Sequence, residues 1–455
     1  MTDFNNYLWP GRRGHMVGIG GVSMSSLAEV LKGLGLVISG SDMNESKNVQ
    51  NLRALGIPVT IGHAAENITD DVEFVVRTAA VHDENPEIAA AREKGIPIFE
   101  RTQAWGAISK DYKNALCIAG THGKTTTTSM CTHILMAADS DPTVMIGGTL
   151  PLLNAGHRVG HGDTIIMEAC EYYNSFLSFY PTVAMILNVE ADHLDFFKDL
   201  EDVKHSFRAF AERIPEDGIV IANADDDNTM ATLRGIDRRM ITFGLKRSAD
   251  VTARNIEFIG ANSHFDVVCH GRKFTDVTLH VPGVHNVKNA LAATAAAIWL
   301  GISPTAVKYG LAGFNGAGRR FEFKGKFNGA DVYDDYAHHP SELKALLDTV
   351  ENLGYTRTIL VFQPHTYSRT AALFDDFVKQ LRRPDQLVLA EIYAAREKNT
   401  IGISSAALAE KVNGSIFCPS FGELENTLRE MARPGDIILT VGAGDVYKIG
   451  EDLVK

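Results

Sequence analysis

Cysteine, aromatic side chains and long apolar runs are all scarce in this chain of 455 residues. Its five cysteines are scattered without the paired spacing of a zinc site, and their odd number favours free thiols of a reducing compartment over a disulfide framework. No apolar run approaches the ~20 residues that span a bilayer, and residues 1–9 lack the basic-then-apolar order of a signal peptide. The sequence therefore predicts a cytoplasmic protein with no membrane partner.

Positive charge is also in deficit. Lys and Arg together number 44 against 56 Asp and Glu, which gives a formal net charge of −12. Because a protein that binds nucleic acid through its phosphates has the opposite balance, we expect no nucleic-acid partner. An anionic ligand would have to be held by a few local groups. The length exceeds what one hydrophobic core supports, so several domains are expected.

Strand-like and helix-like segments alternate along the chain, which is typical of parallel α/β sheets. The strands that this pattern predicts lie near 15–21, 36–42, 74–76, 96–99, 164–167, 183–188, 218–222, 330–333, 358–362, 386–390 and 436–441. Residues 251–281 alternate apolar and polar, which predicts antiparallel strands at the margin of the second unit. The alanine-rich stretch 285–300 predicts a helix, whereas the pattern relaxes over 101–110. We therefore predict three α/β domains in series.

A glycine-rich turn between an apolar strand and a helix-compatible segment is the most informative motif. It reads Gly120-Thr121-His122-Gly123-Lys124-Thr125-Thr126. Glycines in such a turn let the backbone approach an anion, and the helix N-terminus directs unpaired N–H groups at it. Lys124 would neutralise the β- and γ-phosphates, and the Thr125 hydroxyl would hold Mg²⁺. The loop is shorter than the common motif, because Ile118 stands where a further glycine is usual; the alternative is an ordinary strand–turn–helix junction.

A second glycine-rich loop lies near the start of the chain, at residues 18–24, and acidic Asp42 follows the next strand. The loop is similar to a dinucleotide-binding fingerprint, although Ser23 replaces its third glycine. It suits a pyrophosphate at a helix N-terminus, whichever nucleotide carries that group. A nucleotide diphosphate other than NAD is favoured over NAD and over a turn that serves only helix packing.

Acidic residues follow two further strands. Glu168 and Glu171 lie at the carboxyl end of one, where open α/β sheets place their ligands. A carboxylate there could complete the magnesium shell begun by Thr125, since Mg²⁺ prefers oxygen ligands; the alternative is a surface loop with two solvated acids. After another strand, Asp192 could cap a helix and His193 could bind a cation.

Histidines and acids also cluster after two strands of the third unit. Asp334 and Asp335 precede His338 and His339, a combination that suits nucleotide positioning and proton transfer near neutral pH. Arg369 follows the next strand and is a natural bidentate partner for a carboxylate. A single Arg on a helix is usually solvated, but polar clusters at successive strand ends favour a functional site.

Taken together, these motifs resemble the Mur ligase family, the ATP-dependent amide ligases of peptidoglycan precursor synthesis. The resemblance covers nearly the whole chain, in the same order, and is carried by residues 18–21, 120–127, 335–340, 365–369 and 442–445. It implies a Rossmann-like domain that binds a UDP-sugar (1–106), a central P-loop ATPase-type domain with a parallel sheet and an antiparallel margin (107–315), and a Rossmann-like C-terminal domain that completes the ATP and amino-acid sites (316–455).

The resemblance also implies a reaction. ATP would phosphorylate the lactyl carboxylate of UDP-N-acetylmuramate, and the amine of L-alanine would attack the acyl phosphate with release of phosphate. ATP and two magnesium ions, for which Mn²⁺ can substitute, would be required, and the protein would be a monomer or a homodimer. The alternatives are a recycling ligase that attaches a murein tripeptide to the same sugar nucleotide, an NAD-dependent oxidoreductase, and a non-catalytic nucleotide sensor.

Site residues carried over from the family form overlapping groups. The catalytic group is Lys124, Glu168, Glu171, His193, Arg320 and His338. The ATP-binding group is Gly120, Thr121, His122, Gly123, Lys124, Thr125, Thr126, Asn289, Arg320 and Asp335. The UDP-sugar group is Gly18, Gly20, Gly21, Met24, Ser41 and Asp42. L-alanine would contact His338, His365 and Arg369, and the metal ligands would be Thr125, Glu168 and His193. Whether His338 or Glu171 takes the proton of the amine stays open.

Overall fold

The structure is a computed structural model, which describes residues 3–78, 80–395 and 397–455. Contacts between Cα atoms divide the chain into two compact units. The first unit comprises the residues up to Val189 together with Lys204–Asp250 and Ala292–Gly310, and the second comprises Glu190–Val203, Val251–Leu291 and Leu311–Lys455. Each unit therefore combines segments that are far apart in the sequence.

The first unit begins with five strands that alternate with four α-helices. They are β1 (Arg13–Val17), α1 (Val22–Gly33), β2 (Val37–Asp42), α2 (Lys47–Ala54), β3 (Val59–Ile61), β4 (Phe74–Arg77), α3 (Pro86–Glu93), β5 (Ile98–Glu100) and α4 (Arg101–Ser109). The strand order is β3-β2-β1-β4-β5 and every pair is parallel. The order reverses beside β1, so the loop after β1 lies at the switch point where such sheets bind ligands.

Helix α4 occupies the stretch 101–110, over which the sequence pattern relaxes and gives no signal for a helix. Six consecutive residues, from Ala104 to Ser109, are buried. A helix that is covered on all sides lacks the alternation of apolar and polar faces that reveals a helix in a sequence. Gly106 shows how close the packing is, because a Cβ there would lie 1.9 Å from the carbonyl oxygen of Ser178.

The chain continues into a second sheet. Its elements are β6 (Asn114–Ala119), α5 (Lys124–Ala137), β7 (Thr143–Leu150), β8 (Ala155–Arg158), β9 (Thr164–Glu168), β10 (Val183–Ile186), α6 (Leu200–Glu212), β11 (Ile219–Asn223), α7 (Asp227–Thr232) and β12 (Arg239–Phe243). The strands of the first unit are ordered β12-β11-β10-β6-β9-β7-β8. All neighbours are parallel except β7 and β8, which form an antiparallel hairpin. The carboxyl ends of β6, β9 and β10 therefore lie side by side.

Three antiparallel strands confirm the expectation for residues 251–281. They are β13 (Val251–Ile259), β14 (Asn262–Cys269) and β15 (Arg272–Leu279), which belong to the second unit and pair in sequence order. Helices α8 (Val284–Trp299) and α9 (Pro304–Ala312) follow, the first at the stretch predicted to be helical. The alternating burial along β14 explains why its sequence pattern was readable.

The last sheet lies within the second unit. Its elements are β16 (Glu322–Phe327), β17 (Ala330–Asp335), α10 (Pro340–Val350), β18 (Arg357–Phe362), α11 (Tyr367–Ala372), α12 (Phe374–Leu381), β19 (Gln386–Ala390), α13 (Ser405–Ala409), β20 (Ile416–Cys418), α14 (Phe421–Met431), β21 (Asp436–Val441) and α15 (Tyr447–Leu453). The order is β16-β17-β21-β18-β19-β20, and β16 is antiparallel to β17 while the other neighbours are parallel.

Hydrophobic side chains cover both faces of this last sheet. Along β18, Leu360 and Phe362 join one core cluster, whereas Ile359 and Val361 join another. Successive side chains of a strand point to opposite faces, so a strand buried on both faces reads as a continuous apolar run. The α/β class and the three sheets that the sequence predicts are therefore present, while the domain boundaries at 106 and 315 stay predictions. Within the described ranges, no helix is long and apolar enough to cross a bilayer.

Candidate active site

The turn between β6 and α5 has the geometry that its sequence predicts. Gly120 and Gly123 have φ angles of 144° and 84°, a region that favours glycine, and Gly123 caps the N-terminus of α5. A Cβ on Gly120 would lie 2.9 Å from Cβ of Leu187 and 3.2 Å from its backbone nitrogen. The turn is therefore closely packed against the residues that follow β10.

Asn188, which the sequence analysis did not single out, holds this turn. Its carboxamide oxygen accepts a hydrogen bond from the backbone N–H of His122 at 2.7 Å, and its amide donates to the carbonyl of His122 at 3.0 Å. The N–H of Thr121 donates to the carbonyl of Asn188 at 3.1 Å. The detectable feature is its place at the carboxyl end of β10, the strand beside β6. The loop is thus fixed before any ligand arrives.

Lys124 turns its ammonium group back over the loop. Its Nζ donates to the carbonyls of Gly120 and Thr121 at 2.5 and 3.1 Å and lies 3.0 Å from Oε2 of Glu171. The two side chains are only 13% and 2% exposed. Burial alone would lower the pKa of Lys124, but the Glu171 carboxylate outweighs it, and the pKa lies above its ordinary value. The loop therefore carries a fixed positive charge.

Thr125 and Glu168 form an oxygen-rich pair beside this lysine. The Thr125 hydroxyl lies 3.1 and 3.0 Å from the two carboxylate oxygens of Glu168. The backbone N–H of Gly147 donates to Oε2 of Glu168 at 2.8 Å. The hydroxyl in the first turn of α5 and the carboxylate at the end of β9 are the hard oxygen donors that Mg²⁺ prefers. These residues fit a magnesium ion, and their role as its ligands stays a prediction.

The cysteine next to Glu171 is a thiol rather than a nucleophilic thiolate. Burial, reinforced by the Glu171 carboxylate, raises the pKa of Cys170 to about 11. The five cysteines are all free, which confirms that disulfides play no part in the fold.

The first glycine-rich loop is organised by the strand next to it. The N–H groups of Gly18 and Ile19 donate to the carbonyl of Ser41, each at 2.9 Å, and the N–H of Gly20 donates to the Asp42 carboxylate at 2.9 Å. The structure thus brings Gly18, Gly20, Ser41 and Asp42 together.

Two members of the predicted UDP-sugar group have inward-facing side chains. The hydroxyl of Ser41 donates to buried Glu87 at 2.6 Å. Met24, on α1, is only 2% exposed and belongs to the core. Gly21 caps the N-terminus of α1. The binding of a sugar nucleotide by this loop stays a prediction.

In the second unit, Arg369 on α11 forms a buried ion pair with Asp192. Its Nε and Nη2 donate to Oδ1 of Asp192 at 3.0 and 2.8 Å, and the side chains are 9% and 7% exposed. Burial would raise the pKa of Asp192, but Arg369 outweighs it and holds that pKa far below its ordinary value. The suggestion that Asp192 caps a helix is wrong, because the next α-helix begins only at Leu200 and the carboxylate faces a guanidinium instead.

Two histidines lie beside this ion pair. His365 has its Nδ1 3.1 Å from Nη1 of Arg369, and its ring centroid is 5.7 Å from that of His338. Nδ1 of His338 lies 2.9 Å from the carbonyl oxygen of Tyr336. Burial lowers the pKa of His338 to about 4 and that of His365 to about 3. The structure therefore brings together the three residues predicted to contact L-alanine, with both imidazoles neutral at physiological pH.

Arg320 and Asp335 lie on the loop and strand that precede α10. Nη1 of Arg320 is 3.7 Å from Oε1 of Glu342, and its guanidinium lies 5.2 Å from the ring centroid of Tyr336. The Asp335 carboxylate accepts two backbone hydrogen bonds of 2.8 Å. Burial raises its pKa to about 6, against the opposing influence of Arg320. Their assignment to the γ-phosphate and the ribose stays a prediction.

The remaining two predicted residues also lie in the second unit. Asn289 donates to the carboxamide oxygen of Asn286 at 3.3 Å, one turn earlier on α8. His193 follows Asp192, has a positive φ of 53°, and places its Nε2 3.9 Å from Oδ2 of Asp192. Neither contact tests the predicted adenine or metal role, so both roles stay predictions.

A phosphate loop whose lysine and threonine meet strand-end carboxylates places this protein among nucleotide-dependent enzymes, and comparison with known proteins narrows the class. The profile of the Mur ligase middle domain matches residues 118–297, that of the Mur ligase family catalytic domain matches 13–113, and that of the Mur ligase glutamate ligase domain matches 319–444. The chain belongs to the Mur ligase family.

Individual relatives share the full length. The chain is 47% identical to the UDP-N-acetylmuramate–L-alanine ligase of Lachnospira eligens, over 100% of this chain and 99% of that protein. The crystal structure of the UDP-N-acetylmuramate–alanine ligase of Thermotoga maritima superposes with a TM-score of 0.81 at 30% identity, over 97% of this chain and 98% of that one. A murein peptide ligase from Psychrobacter arcticus superposes with a TM-score of 0.74 at 25% identity, over 97% and 98%.

Proposed function

We propose that this protein is a cytoplasmic, ATP-dependent ligase that joins L-alanine to the lactyl carboxylate of UDP-N-acetylmuramate, with release of ADP and phosphate. Relatives that carry this activity in their names match 97–100% of the chain at 47–48% identity. The observation that carries the chemistry is the phosphate loop, in which Lys124 is held charged by Glu171 and Thr125 lies against Glu168.

The reaction needs an activated carboxylate. A free carboxylate resists attack by an amine and has no good leaving group, and an acyl phosphate corrects both faults. The negatively charged carboxylate must meet the negatively charged triphosphate, so the site has to supply positive charge. Lys124 supplies it from the loop, and the family resemblance assigns a γ-phosphate contact to Arg320 as well. Magnesium held by Thr125 and Glu168 would supply further charge neutralisation, with His193 assigned to a second ion.

The second unit would hold the amino acid. Arg369 is the permanent cation of its cluster, because His338 and His365 are neutral. A guanidinium has five N–H donors. The contacts to Asp192 and His365 use four of these donors and leave one N–H, on Nη2 of Arg369, for the carboxylate of L-alanine. A neutral His338 can accept a proton from the amine, although its low pKa makes it a weak base, and Glu171 is the other acceptor.

The test is phosphate release by the purified protein with ATP, Mg²⁺ and UDP-N-acetylmuramate, across a panel of amino acids and the murein tripeptide. Release that depends on L-alanine supports the proposal. Release with the tripeptide alone would overturn it in favour of the second candidate, a recycling ligase, which the similarity to a murein peptide ligase keeps in view. No release with any acceptor would overturn both.

A further inference from the structure

The hairpin of β7 and β8 contacts the carboxylate of Glu168, which is proposed to bind magnesium. β7 pairs in parallel with β9 as far as Met145 and Met167, the residue before Glu168. The pairing of β7 with β8 is irregular between Met145 and Leu150. Two glycines, Gly147 and Gly148, lie in this irregular stretch. The hairpin thus leaves the regular ladder where the side chain of Glu168 begins.

Gly147 touches that side chain in two ways. Its N–H donates to Oε2 of Glu168 at 2.8 Å, which leaves the carboxylate held between this amide and the Thr125 hydroxyl. A Cβ added to Gly147 would lie 2.9 Å from each carboxylate oxygen of Glu168. That separation is shorter than van der Waals contact between carbon and oxygen allows. The carboxylate can therefore occupy its place only if residue 147 has no side chain.

The neighbouring glycine provides a matched comparison. A Cβ on Gly148 would lie 3.4 Å from Cγ2 of Thr125, which is an ordinary contact. Neither glycine has a positive φ, so alanine can adopt both backbone conformations. At Gly147 the clash is with the far end of a flexible side chain. An alanine there would therefore displace the Glu168 carboxylate rather than the backbone.

A histidine on the other strand fastens the hairpin. Nε2 of His157, on β8, lies 2.8 Å from Oε2 of Glu29, and its Nδ1 lies 3.0 Å from Oγ of Ser26. Both partners are on α1, the helix that follows the first glycine-rich loop. These two contacts tie β8 to α1 and help to fix the hairpin that contains Gly147.

We propose that Gly147 is a positioning residue for Glu168. Its amide fixes one carboxylate oxygen, and its missing side chain leaves the room in which the carboxylate meets Thr125. The inference rests on the proposed function in one respect, the role of Glu168 as a metal ligand. Groups that orient a metal ligand typically contribute about 10–100-fold to metal affinity.

The test is calorimetry of ADP binding to the full chain with Mg²⁺ and with EDTA, for the wild type, Gly147→Ala and Gly148→Ala. We expect the factor by which Mg²⁺ increases the affinity for ADP to fall about tenfold or more in Gly147→Ala, while ADP binding without metal is unchanged. In Gly148→Ala this factor should stay as in the wild type. The proposal would be overturned if Gly147→Ala kept the full Mg²⁺-dependent gain in ADP affinity, or if both variants lost it equally.

A second background separates displacement of the carboxylate from general damage. The shorter side chain in Glu168→Asp leaves room for the added methyl group, so Gly147→Ala should change metal-dependent binding little in that background. An equally large loss there would overturn the proposal. Failure of the proposed function would look different: the wild type would gain affinity from Mg²⁺ as expected, yet release no phosphate with any amino acid.

Discussion

The phosphate loop and the histidine cluster of the second unit are buried to similar degrees, yet their basic groups respond in opposite directions. Burial disfavours the charged form of Lys124 and of His338 alike. The pKa of Lys124 nevertheless lies above its ordinary value, whereas that of His338 falls to about 4. The two side chains differ in the charged groups that surround them.

The balance between burial and the surrounding charges decides the outcome. The carboxylates of Glu171 and Glu168 raise the pKa of Lys124 and outweigh the effect of burial. The Glu342 carboxylate, 3.4 Å from Nδ1 of His338, raises the pKa of that histidine, but burial outweighs it and Arg369 acts in the same direction as burial. Burial and Arg369 also lower the pKa of His365. The first site therefore keeps its charge at every physiological pH, which suits phosphates. The second offers neutral imidazoles around one permanent cation, which suits a zwitterionic amino acid and a proton acceptor.

Removal of the lysine should give the largest effect. We expect Lys124→Ala to lower kcat on the order of 10³-fold, because one charge that stabilises the phosphoryl transfer is lost. The affinity for UDP-N-acetylmuramate should stay near that of the wild type, since the first glycine-rich loop is built by β1 and α1 rather than by β6 and α5. Calorimetry and steady-state kinetics measure the two quantities.

The control for this variant is Lys113→Ala, which removes an exposed lysine from the same unit. It should leave both quantities unchanged. Equal loss of sugar-nucleotide binding in Lys124→Ala would contradict the assignment of the two ligands to different loops.

The cation of the second site should matter for the amino acid instead. We expect Arg369→Ala to raise the KM for L-alanine about 10–100-fold, the range set by hydrogen bonds to charged groups. The variant also leaves Asp192 buried without its partner, so Arg369→Ala combined with Asp192→Asn separates binding from destabilisation. Arg383→Ala, which removes an arginine paired with Asp348 and Glu351, is the control. A raised KM for ATP with an unchanged KM for L-alanine would move Arg369 to the nucleotide site.

The two sites were also unequally visible in the sequence. The phosphate loop is contiguous, and its glycines, lysine and threonine have fixed spacing, so one stretch of chain predicts the turn, the helix start and the cation. The strand-end positions of Glu168 and Asp335 followed from apolar runs. Local patterns therefore sufficed for the three sheets and for most of the residues that the site contains.

What the sequence could not reveal are contacts between distant segments. Arg369 meets Asp192 across 177 positions, and Asn188 holds a turn 66 positions earlier. Gly147 approaches Glu168 only because β7 runs beside β9. No periodicity encodes such pairs, which depend on sheet order. The local pattern around Asp192 therefore suggests a helix cap, and only the fold reveals its pairing with Arg369.

The neutral histidines give a prediction that tests the electrostatic contrast directly. In NMR titrations of histidine-labelled protein, with His338→Gln and His365→Gln for assignment, neither imidazole should become protonated between pH 8 and 5. Arg369→Ala should move both titrations to higher pH, because the guanidinium is among the groups that lower both pKa values. A wild-type titration of His338 centred near 6.5 would remove the difference between the two sites.

The smallest effect concerns Asp335, an acid whose pKa is raised to about 6 from an ordinary value of 3.8. The unfolded chain loses this proton before the folded chain does. The contribution of Asp335 to stability is therefore present below the ordinary pKa and is lost as pH rises through about 6. Between pH 5 and 7.5, the free energy of unfolding of the wild type should fall relative to Asp335→Asn by about 1 kcal/mol.

Asp436 supplies the opposite case for this last measurement. Arg357 donates to its carboxylate at 2.7 and 3.1 Å and outweighs burial, so the pKa of Asp436 is lowered. Its stabilisation is present above the ordinary pKa and is lost only in acid. Urea unfolding at pH 5 and 7.5 should therefore show a constant difference between the wild type and Asp436→Asn, whereas the difference from Asp335→Asn changes. A constant difference for both variants would mean that the Asp335 carboxylate ionises as an exposed one does, with no rise in its pKa on folding.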